Sequence, residues 1–251
     1  MASIMISDRL QTIASYCPEG AKVADIGSDH ALLASYLVLN NIASSVVAGE
    51  LNEGPYLAAK RQVESILATN RISVRRGDGL AVIHKNEVDV VCIAGMGGQL
   101  IASILEAGKE KLEGVSRLIL QPNVGEDMVR KWLIANGWQL VHERILEEDG
   151  IIYEVLVADL GDPDLPYRNQ SRSQSELMRL GPMLWQEKSP VLLKKLERER
   201  DKWHKIQTQI SQSERAETQE RLQEVQQEIN WLNEVIQCLQ MDKPSSNTSN
   251  N

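Results

Sequence analysis

The chain has 251 residues, and the 42% that are hydrophobic are enough for one well-packed core with material left for an appendage. The formal net charge of −8 argues mildly against a polyanionic partner, although a local basic patch is sufficient to bind phosphates. The first residues lack the pattern of a signal peptide, and no apolar run is long enough to span a bilayer. Three scattered cysteines favour a reducing compartment. We therefore expect a cytoplasmic protein that does not bind membranes.

From residue 22 to residue 160, strand-like and helix-like patterns alternate along the chain. Seven apolar runs predict strands at residues 22–26, 44–50, 72–77, 88–95, 117–122, 138–148 and 151–160. Helical patterns lie between them at residues 30–39, 55–68, 98–107 and 126–135. Strands that are separated by helices predict right-handed crossovers and a parallel sheet with helices on both faces.

The last two predicted strands are connected differently from the others. Only Asp149 and Gly150 separate them, and an Asp-Gly pair is a strong turn signal, so we expect a hairpin with one antiparallel strand. Seven strands that end in a hairpin at the sheet edge are typical of class I S-adenosylmethionine (SAM) methyltransferases, whereas NAD-binding Rossmann domains usually lack this hairpin. The predicted fold class is therefore α/β, with a Rossmann-like seven-stranded sheet, although a fold alone does not set function.

Beyond residue 160 the pattern becomes helical. Residues 161–175 are rich in turn formers and lack periodicity, which predicts a linker. Two apolar stripes, separated by the polar residues 211–217, then predict an antiparallel, coiled-coil-like helical hairpin over residues 176–241. Residues 242–251 predict a disordered tail. We expect residues 1–160 to fold as a domain without the rest of the chain.

The end of the first predicted strand reads VADIGSDHA. Gly27 allows a tight turn beneath a ligand, and the helix that follows offers backbone N–H groups. SAM-binding loops usually carry two further glycines, whereas this chain has Asp29 and Ala31 at those positions. We expect Asp25 to sit behind the loop, where its carboxylate accepts backbone N–H groups. This motif alone is weak evidence, because similar turns occur in many α/β proteins.

Three further strand ends carry residues suited to a nucleoside. Glu50 ends the second predicted strand, where an acid can accept both ribose hydroxyls. Asp78 ends the third, where its side chain can meet the adenine amino group or can instead form an Asx turn between two glycines. The fourth ends in AGMGG, whose backbone can line a reaction centre. Because ligands bind at the carboxyl ends of parallel strands, the four sets together predict a nucleoside cofactor.

The sequence closely resembles the bacterial tRNA (adenine-22-N1)-methyltransferase family from about Ser7 to the C-terminal helices. The resemblance is carried by SDRLQTIASY, VADIGSDHA, VAGELNEGPYLAAKRQV, RRGDGL, IAGMGG, LILQPN and ILEEDGIIYEVLVA. That family has a SAM-dependent methyltransferase domain followed by a small helical domain, which agrees with the periodicity. The resemblance implies SAM as the cofactor, tRNA as the partner and N1 of adenine 22 as the methyl acceptor.

The resemblance also implies which residues contact SAM. They are Gly27, Ser28, Glu50, Asp78 and the backbone of Ala94, Gly95 and Met96. Asp25, Asp29, Leu51 and Gly79 lie in the same loops and complete the set of predicted cofactor-binding residues.

Asp29 and His30 are the predicted catalytic residues. The N1 lone pair of adenine needs no deprotonation before attack, but the methylated base is cationic. A carboxylate at Asp29 can bond the exocyclic amine and favour the developing positive charge. Asp29 is alternatively a helix N-cap without substrate contact, and His30 is alternatively a residue that packs at the start of the helix.

The substrate is expected to contact residues in both parts of the chain. Asn123 either bonds the base edge or is a plain turn residue. The predicted substrate-binding residues are Arg9, Gly97, Gly98, Gln121, Asn123, Lys194, Lys195 and Arg198. The last three belong to the run KKLERERDKWHK, which is either a tRNA-binding patch or a solvated helix face. We expect no metal, because the histidines and cysteines lack ligand spacing, and a monomer or weak dimer.

Two other functions stay open at the level of sequence. One is a SAM-dependent methyltransferase of a small molecule or a protein, which the acidic net charge favours. The other is a coiled-coil interaction protein with an inactive nucleotide fold, against which the intact acids at positions 25, 29, 50 and 78 argue.

Overall fold

Residues 4–211 and 218–241 are described by the computed structural model of the protein. The chain divides into two compact units, Met1–Met183 and Leu184–Asn251. Most of the polar link and the whole predicted tail lie outside the described residues. No helix within the described ranges is long and apolar enough to cross a membrane.

The first unit is built on a seven-stranded sheet, as predicted. Its strands are β1 (Ala21–Ile26), β2 (Ala43–Glu50), β3 (Ile72–Arg76), β4 (Val90–Gly97), β5 (Arg117–Val124), β6 (Trp138–Glu148) and β7 (Ile151–Leu160). The strand order is β3-β2-β1-β4-β5-β7-β6. Strands β1 to β5 are parallel, and β7 is antiparallel to both β5 and β6. The predicted α/β class and the hairpin at Asp149–Gly150 are therefore confirmed.

Helices cover both faces of the sheet. They are α1 (Asp8–Ser15), α2 (Leu32–Leu39), α3 (Glu53–Ser65), α4 (Gly98–Ala107), α5 (Glu126–Ala135) and α6 (Gln174–Leu180). Side chains alternate along each strand, so Val23 and Ile119 pack into one apolar cluster while Ala24 and Leu118 pack into the other. The sheet thus separates two cores, and its loop ends stay available for a site.

The start of α2 differs from the prediction. The helix begins at Leu32 rather than at residue 30, because Asp29, His30 and Ala31 have φ angles of 37°, 62° and 54°. These values lie in the left-handed region and are incompatible with the first turn of an α-helix. The N-cap position belongs to Ala31, which makes no side-chain cap bond, so the alternative reading of Asp29 as a helix N-cap is wrong.

The second unit contains the two long helices that the apolar stripes predicted. After the short α7 (Pro182–Glu187) come α8 (Pro190–Ser211) and α9 (Thr218–Met241). The Gln207 side chain of α8 donates to the Gln226 side chain of α9 over 2.7 Å. Buried members of the stripes are Leu192, Leu196, Val225, Ile229, Leu232, Ile236 and Leu239, whereas Trp203, Ile206, Ile210 and Leu222 are half-buried.

The first unit extends past Leu160, where the sequence placed the end of the domain. Arg130 on α5 is fully buried, and its guanidinium pairs with Glu143 and Glu154 at 2.6 Å each. Its Nη1 also donates to the carbonyl of Met178 on α6 over 3.0 Å, and Glu143 accepts from the N–H of Met183 over 2.9 Å. Residues that follow the hairpin therefore complete a buried polar cluster, which explains why the compact unit runs to Met183.

A chain shortened to residues 1–160 should be less stable than one that ends at Glu187. The shorter chain leaves Arg130 and Glu143 without the partners at Met178 and Met183, and a lost hydrogen bond to a buried charged group costs about 1.5–3 kcal/mol. Thermal denaturation of the two fragments measures the difference. Full-length Arg168→Ala is the control, because the exposed pair with Asp162 should contribute less than about 1 kcal/mol. Equal midpoints for the two fragments would contradict this account of the cluster.

Candidate active site

The carboxyl ends of β1, β2, β3 and β4 meet at one edge of the sheet. The chain runs outward from β1 through β2 to β3 on one side, and then returns to place β4 on the other side of β1. Such a reversal of strand order leaves a crevice at the carboxyl ends of the two central strands. The four predicted sets of ligand-binding residues lie along this edge, so the structure brings them together as the sequence predicted.

Gly27 follows β1 directly and faces the side chain of Met96 near the end of β4. Its φ is +71°, and its N–H donates to the carbonyl of Gly49 on β2 over 2.9 Å. A Cβ at this position would lie 2.2 Å from the terminal methyl carbon of Met96. The positive φ favours glycine, and a larger residue would also have to displace the flexible end of the Met96 side chain.

Asp25 lies behind the first loop, as expected from the sequence. Its carboxylate is buried and accepts a short hydrogen bond from the Ser28 hydroxyl. It also accepts the backbone N–H of Ala34 on α2. Burial, the largest cause, and the nearby Glu50 carboxylate together raise the pKa of Asp25 to about 6, although the Ser28 hydrogen bond opposes the rise. Asp25 therefore organises the loop from within, and Ser28 is tied to it.

Glu50 is the second buried carboxylate at this edge. Its Oε1 accepts the backbone N–H of Asp29 over 2.6 Å, and no hydrogen bond from the described residues reaches Oε2. Burial raises the pKa of Glu50, while the Asp29 hydrogen bond opposes the rise. One oxygen of the carboxylate thus fixes the loop after β1, and the other is available to a ligand hydroxyl.

The left-handed turn directs the side chains of Asp29 and His30 outward. They are 86% and 60% exposed, and His30 Nε2 lies 3.6 Å from Asp29 Oδ1. Neither side chain caps α2 or packs into a core. The alternative in which His30 packs at the start of the helix is therefore wrong. Both groups are available to a ligand above the loop.

Asp78 lies two residues after the end of β3 and directly precedes a short 3-10 helix, Gly79–Val82. Its side chain is exposed and makes no capping bond to that helix, which argues against the Asx-turn alternative. A cleft of about 430 Å³ opens beside it, lined in part by Gly79, Leu100 and Ile104. A planar apolar group has room to enter next to the Asp78 carboxylate.

Several predicted substrate-binding residues have partners within the protein. Gln121 is fully buried, and the side chains of Arg9, Gln121 and Asn123 are bonded to one another or to Gly95. Gly98 is also buried, and a Cβ there would lie 1.9 Å from the carbonyl oxygen of Gly125, which gives Gly98 a packing role. Gly97 is the half-buried N-cap residue of α4.

The other predicted substrate-binding residues are in the second unit. Lys194, Lys195 and Arg198 lie on α8, where Lys194 and Arg198 are exposed and Lys195 is half-buried. Their helix carries the densest basic run of the sequence.

Sequence reasoning missed two residues at the site edge, Glu148 and Tyr153. Glu148 Oε1 accepts the backbone N–H groups of Asp8 over 2.5 Å and Arg9 over 3.3 Å. The Arg9 guanidinium lies 5.2 Å from the centre of the Tyr153 ring. The hairpin turn contained the signal, because residues next to Asp149–Gly150 must lie at the edge where β5 ends.

No three His, Cys, Asp or Glu side chains converge as metal ligands within residues 4–211 and 218–241. The chemistry of this edge is that of carboxylates and backbone amides, which suits an organic cofactor with hydroxyl and amino groups.

The model of one protein family, described as tRNA (adenine(22)-N(1))-methyltransferase, matches residues 23–234 of the chain. The chain belongs to this family. The tRNA (adenine(22)-N(1))-methyltransferase of Bacillus subtilis strain 168 is 52% identical over 237 residues, which are 94% of this chain and 99% of that protein.

Solved structures of the tRNA (adenine(22)-N(1))-methyltransferase family share the fold over almost the whole chain. The crystal structure of the B. subtilis M1A22 tRNA methyltransferase has a TM-score of 0.86 at 51% identity, covering 93% of this chain and 100% of that one. A candidate tRNA (m1A22) methyltransferase from Streptococcus pneumoniae, solved in complex with S-adenosyl-L-methionine, has a TM-score of 0.81 at 41% identity and covers 92% and 100%.

Proposed function

We infer that this protein transfers the methyl group of SAM to N1 of adenine 22 in tRNA. The observation that carries the inference is the family match over residues 23–234 together with an intact set of site residues at one sheet edge. The local geometry of Gly27, Glu50 and Asp78 supports a nucleoside cofactor at this edge. The alternative of an inactive nucleotide fold has no support in this set. The acidic net charge favours a small-molecule or protein acceptor, but the family match outweighs it.

The residues at the edge fit SAM. We propose that Glu50 accepts the ribose hydroxyls through the oxygen that does not hold Asp29. Asp78 is placed to accept the adenine amino group, with the ring in the adjoining cleft between Gly79, Leu100 and Ile104. The loop at Gly27 and Ser28 and the backbone of Ala94, Gly95 and Met96 lie on the opposite side, where the methionine moiety would bind. The predicted cofactor-binding set also includes Asp25, Leu51 and Gly79, and their role toward SAM stays a prediction.

When bound, SAM supplies an electrophilic methyl group on a sulfonium. The protein's main task is then to hold N1 of adenine in line with that methyl group, since N1 attacks through its own lone pair. We propose that the Asp29 carboxylate bonds the exocyclic amine and favours the positive charge that the base acquires. The hydrogen bond from the Asp29 N–H to Glu50 fixes the turn that presents this carboxylate. His30, in the same turn, is positioned to help place the base.

Recognition of the tRNA requires more than the cleft. N1 lies on the Watson–Crick edge, so the enzyme reaches it only when the base is unpaired or extruded. We propose that the helical second unit binds the tRNA backbone through Lys194, Lys195 and Arg198 on α8. The dense basic run in an otherwise acidic chain supports this division of roles.

The function is tested with purified protein, SAM that carries a labelled methyl group, and a tRNA transcript with adenine at position 22. We expect label in the RNA, and mapping should place it at N1 of that adenine. The control transcript has guanine at position 22 and should accept no label. Transfer that does not depend on position 22, or SAM binding without any transfer to RNA, would overturn the proposed function.

Glu50→Gln should weaken SAM binding. Glutamine keeps an acceptor for the Asp29 N–H but removes the charge that faces the ribose, and a hydrogen bond to a charged group contributes about 1.5–3 kcal/mol, or roughly 10- to 100-fold in affinity. Calorimetry with SAM measures the change. Glu53→Gln is the matched control, because Glu53 is an exposed acid on α3 that pairs with Arg76 at 3.5 Å. Unchanged affinity in Glu50→Gln would rule out the ribose assignment.

Asp29→Asn should lower methyl transfer more than it changes the affinity for SAM or tRNA. Asparagine tolerates the left-handed backbone, so the turn is kept while the charge is lost. We expect single-turnover rates to fall roughly tenfold or more, about 1.4 kcal/mol in the barrier. His30→Asn in the same turn separates the contribution of the imidazole. A wild-type single-turnover rate together with reduced SAM affinity would make Asp29 a cofactor contact only.

A further inference from the structure

The side-chain amide of Gln121 on β5 is buried and fully engaged. Its Oε1 accepts from Nη1 of Arg9 over 2.5 Å and from the backbone N–H of Gly95 over 3.1 Å. Its Nε2 donates to the carbonyl of Pro122 over 2.9 Å and to Oδ1 of Asn123 over 3.2 Å. With two acceptor and two donor bonds made inside the protein, Gln121 has no hydrogen-bonding capacity left for an RNA base.

Asn123 is engaged in the same network. Its Nδ2 donates to the carbonyl of Gly95 over 2.8 Å, while its Oδ1 accepts from Gln121. The N–H and the carbonyl of Gly95 are thus both held by side chains of β5. Gly95 has a φ of +77°, and the next residue, Met96, contacts Gly27 in the loop after β1. The two β5 amides therefore set the path of the backbone that lines the methyl-transfer centre.

Arg9 is the outer end of this network and is itself held by three elements. Its backbone N–H and that of Asp8 bond Glu148 at the end of β6, and its guanidinium covers the Tyr153 ring of β7. Its Nη1 can only donate, so it stabilises the amide orientation in which Gln121 turns Oε1 toward Gly95 and Nε2 toward Asn123. In the opposite orientation two donors would face the Gln121 NH₂ group.

We propose that Arg9 is a positioning residue that acts through Gln121 on the Gly95–Met96 backbone, rather than a residue that binds the tRNA. The proposal rests on the proposed function, because that function makes this backbone a wall of the methyl-transfer centre. Arg9 and Gln121 belong to α1 and β5, so the N-terminal helix becomes part of the catalytic machinery. These contacts give Arg9 and Gln121 a role that is an alternative to the substrate binding that the sequence predicted for them.

The first test is steady-state methylation by Arg9→Ala and Arg9→Lys. We call the contacts from Arg9 through Gln121 to Gly95 the relay. Their loss should displace the Gly95–Met96 backbone, and a 10- to 100-fold fall in kcat is the expected order. KM for tRNA should stay within about threefold, because no contact to the tRNA is removed. Lysine retains one donor for Gln121 and should restore part of kcat. A raised KM for tRNA with unchanged kcat would overturn the proposal, since it identifies Arg9 as a direct RNA contact.

Arg117→Ala is the matched control for a general effect on α1. Arg117 donates to the carbonyl of Tyr16 just after α1 over 3.0 Å and pairs with Asp159 at 2.8 Å, but it does not touch Gln121. It should lower the thermal midpoint without a selective loss of kcat. An equal loss of kcat in Arg117→Ala and Arg9→Ala would mean that α1 contributes only stability, and would contradict the relay.

A double-mutant cycle separates the relay from two independent contributions. Gln121→Met keeps the side-chain volume and removes every bond of the amide. If Arg9 acts through Gln121, adding Arg9→Ala to Gln121→Met should lower kcat by less than about threefold further. Losses that multiply would show that Arg9 acts by another route.

The last readout needs neither tRNA nor catalysis. In the protein alone, the NMR amide resonance of Gly95 should shift in Arg9→Ala and in Gln121→Met, and stay unchanged in Arg117→Ala. This measurement keeps the relay distinct from the proposed function: an inactive wild-type protein would defeat the function, whereas an unmoved Gly95 resonance in Arg9→Ala would defeat the relay.

Discussion

Glu50 joins three strand ends, and the geometry of the site depends on it. Its side chain holds the N–H of Asp29 after β1, its carbonyl accepts the N–H of Gly77 after β3 over 2.9 Å, and it ends β2 itself. The Asp29 bond is the one that restrains the turn of three non-glycine residues with positive φ, a conformation that costs roughly 1–2 kcal/mol per residue. Without that acceptor, we would expect these three residues to adopt the negative φ values of a regular helix start. The outward direction of Asp29 and His30 is thus a consequence of where β2 ends.

Around that junction the two sides of the crevice are organised by different means. The β1–β2–β3 side relies on buried carboxylates, with Asp25 and Glu50 close enough to raise the pKa of Asp25. The β4–β5 side relies on neutral amides, with Gln121 and Asn123 clamping Gly95. With SAM bound as proposed, its cationic sulfonium would face carboxylates on the first side, whereas the second side includes the Arg9 guanidinium that bonds Gln121. The difference in charge would favour a positively charged methyl donor on the β1–β2–β3 side.

The strands and the cofactor edge could be predicted because their signals are local. Apolar runs and the Asp-Gly pair identify strands and hairpin, and acids at successive strand ends need only topology to meet. The turn at Asp29 could not be predicted, since no glycine marks its positive φ values and the bond that restrains it comes from Glu50 on another strand. From the sequence, Gln121 and Asn123 are polar side chains that could bind a ligand. In the structure they are hydrogen-bonded to each other. Arg130 likewise would be taken for a surface residue of α5 from its sequence. In the structure it is buried and paired with two glutamates that are distant in sequence.

The Arg130 cluster imposes an order of events during synthesis. A ribosome makes the chain from its N-terminus, so all seven strands exist once Leu160 has emerged, and the sheet can pair at that moment. The guanidinium of Arg130 still has no carbonyl from Met178 to bond, and Glu143 still lacks the amide of Met183. The first compact unit, with this polar cluster, is therefore complete only after residues up to Met183 have left the ribosome.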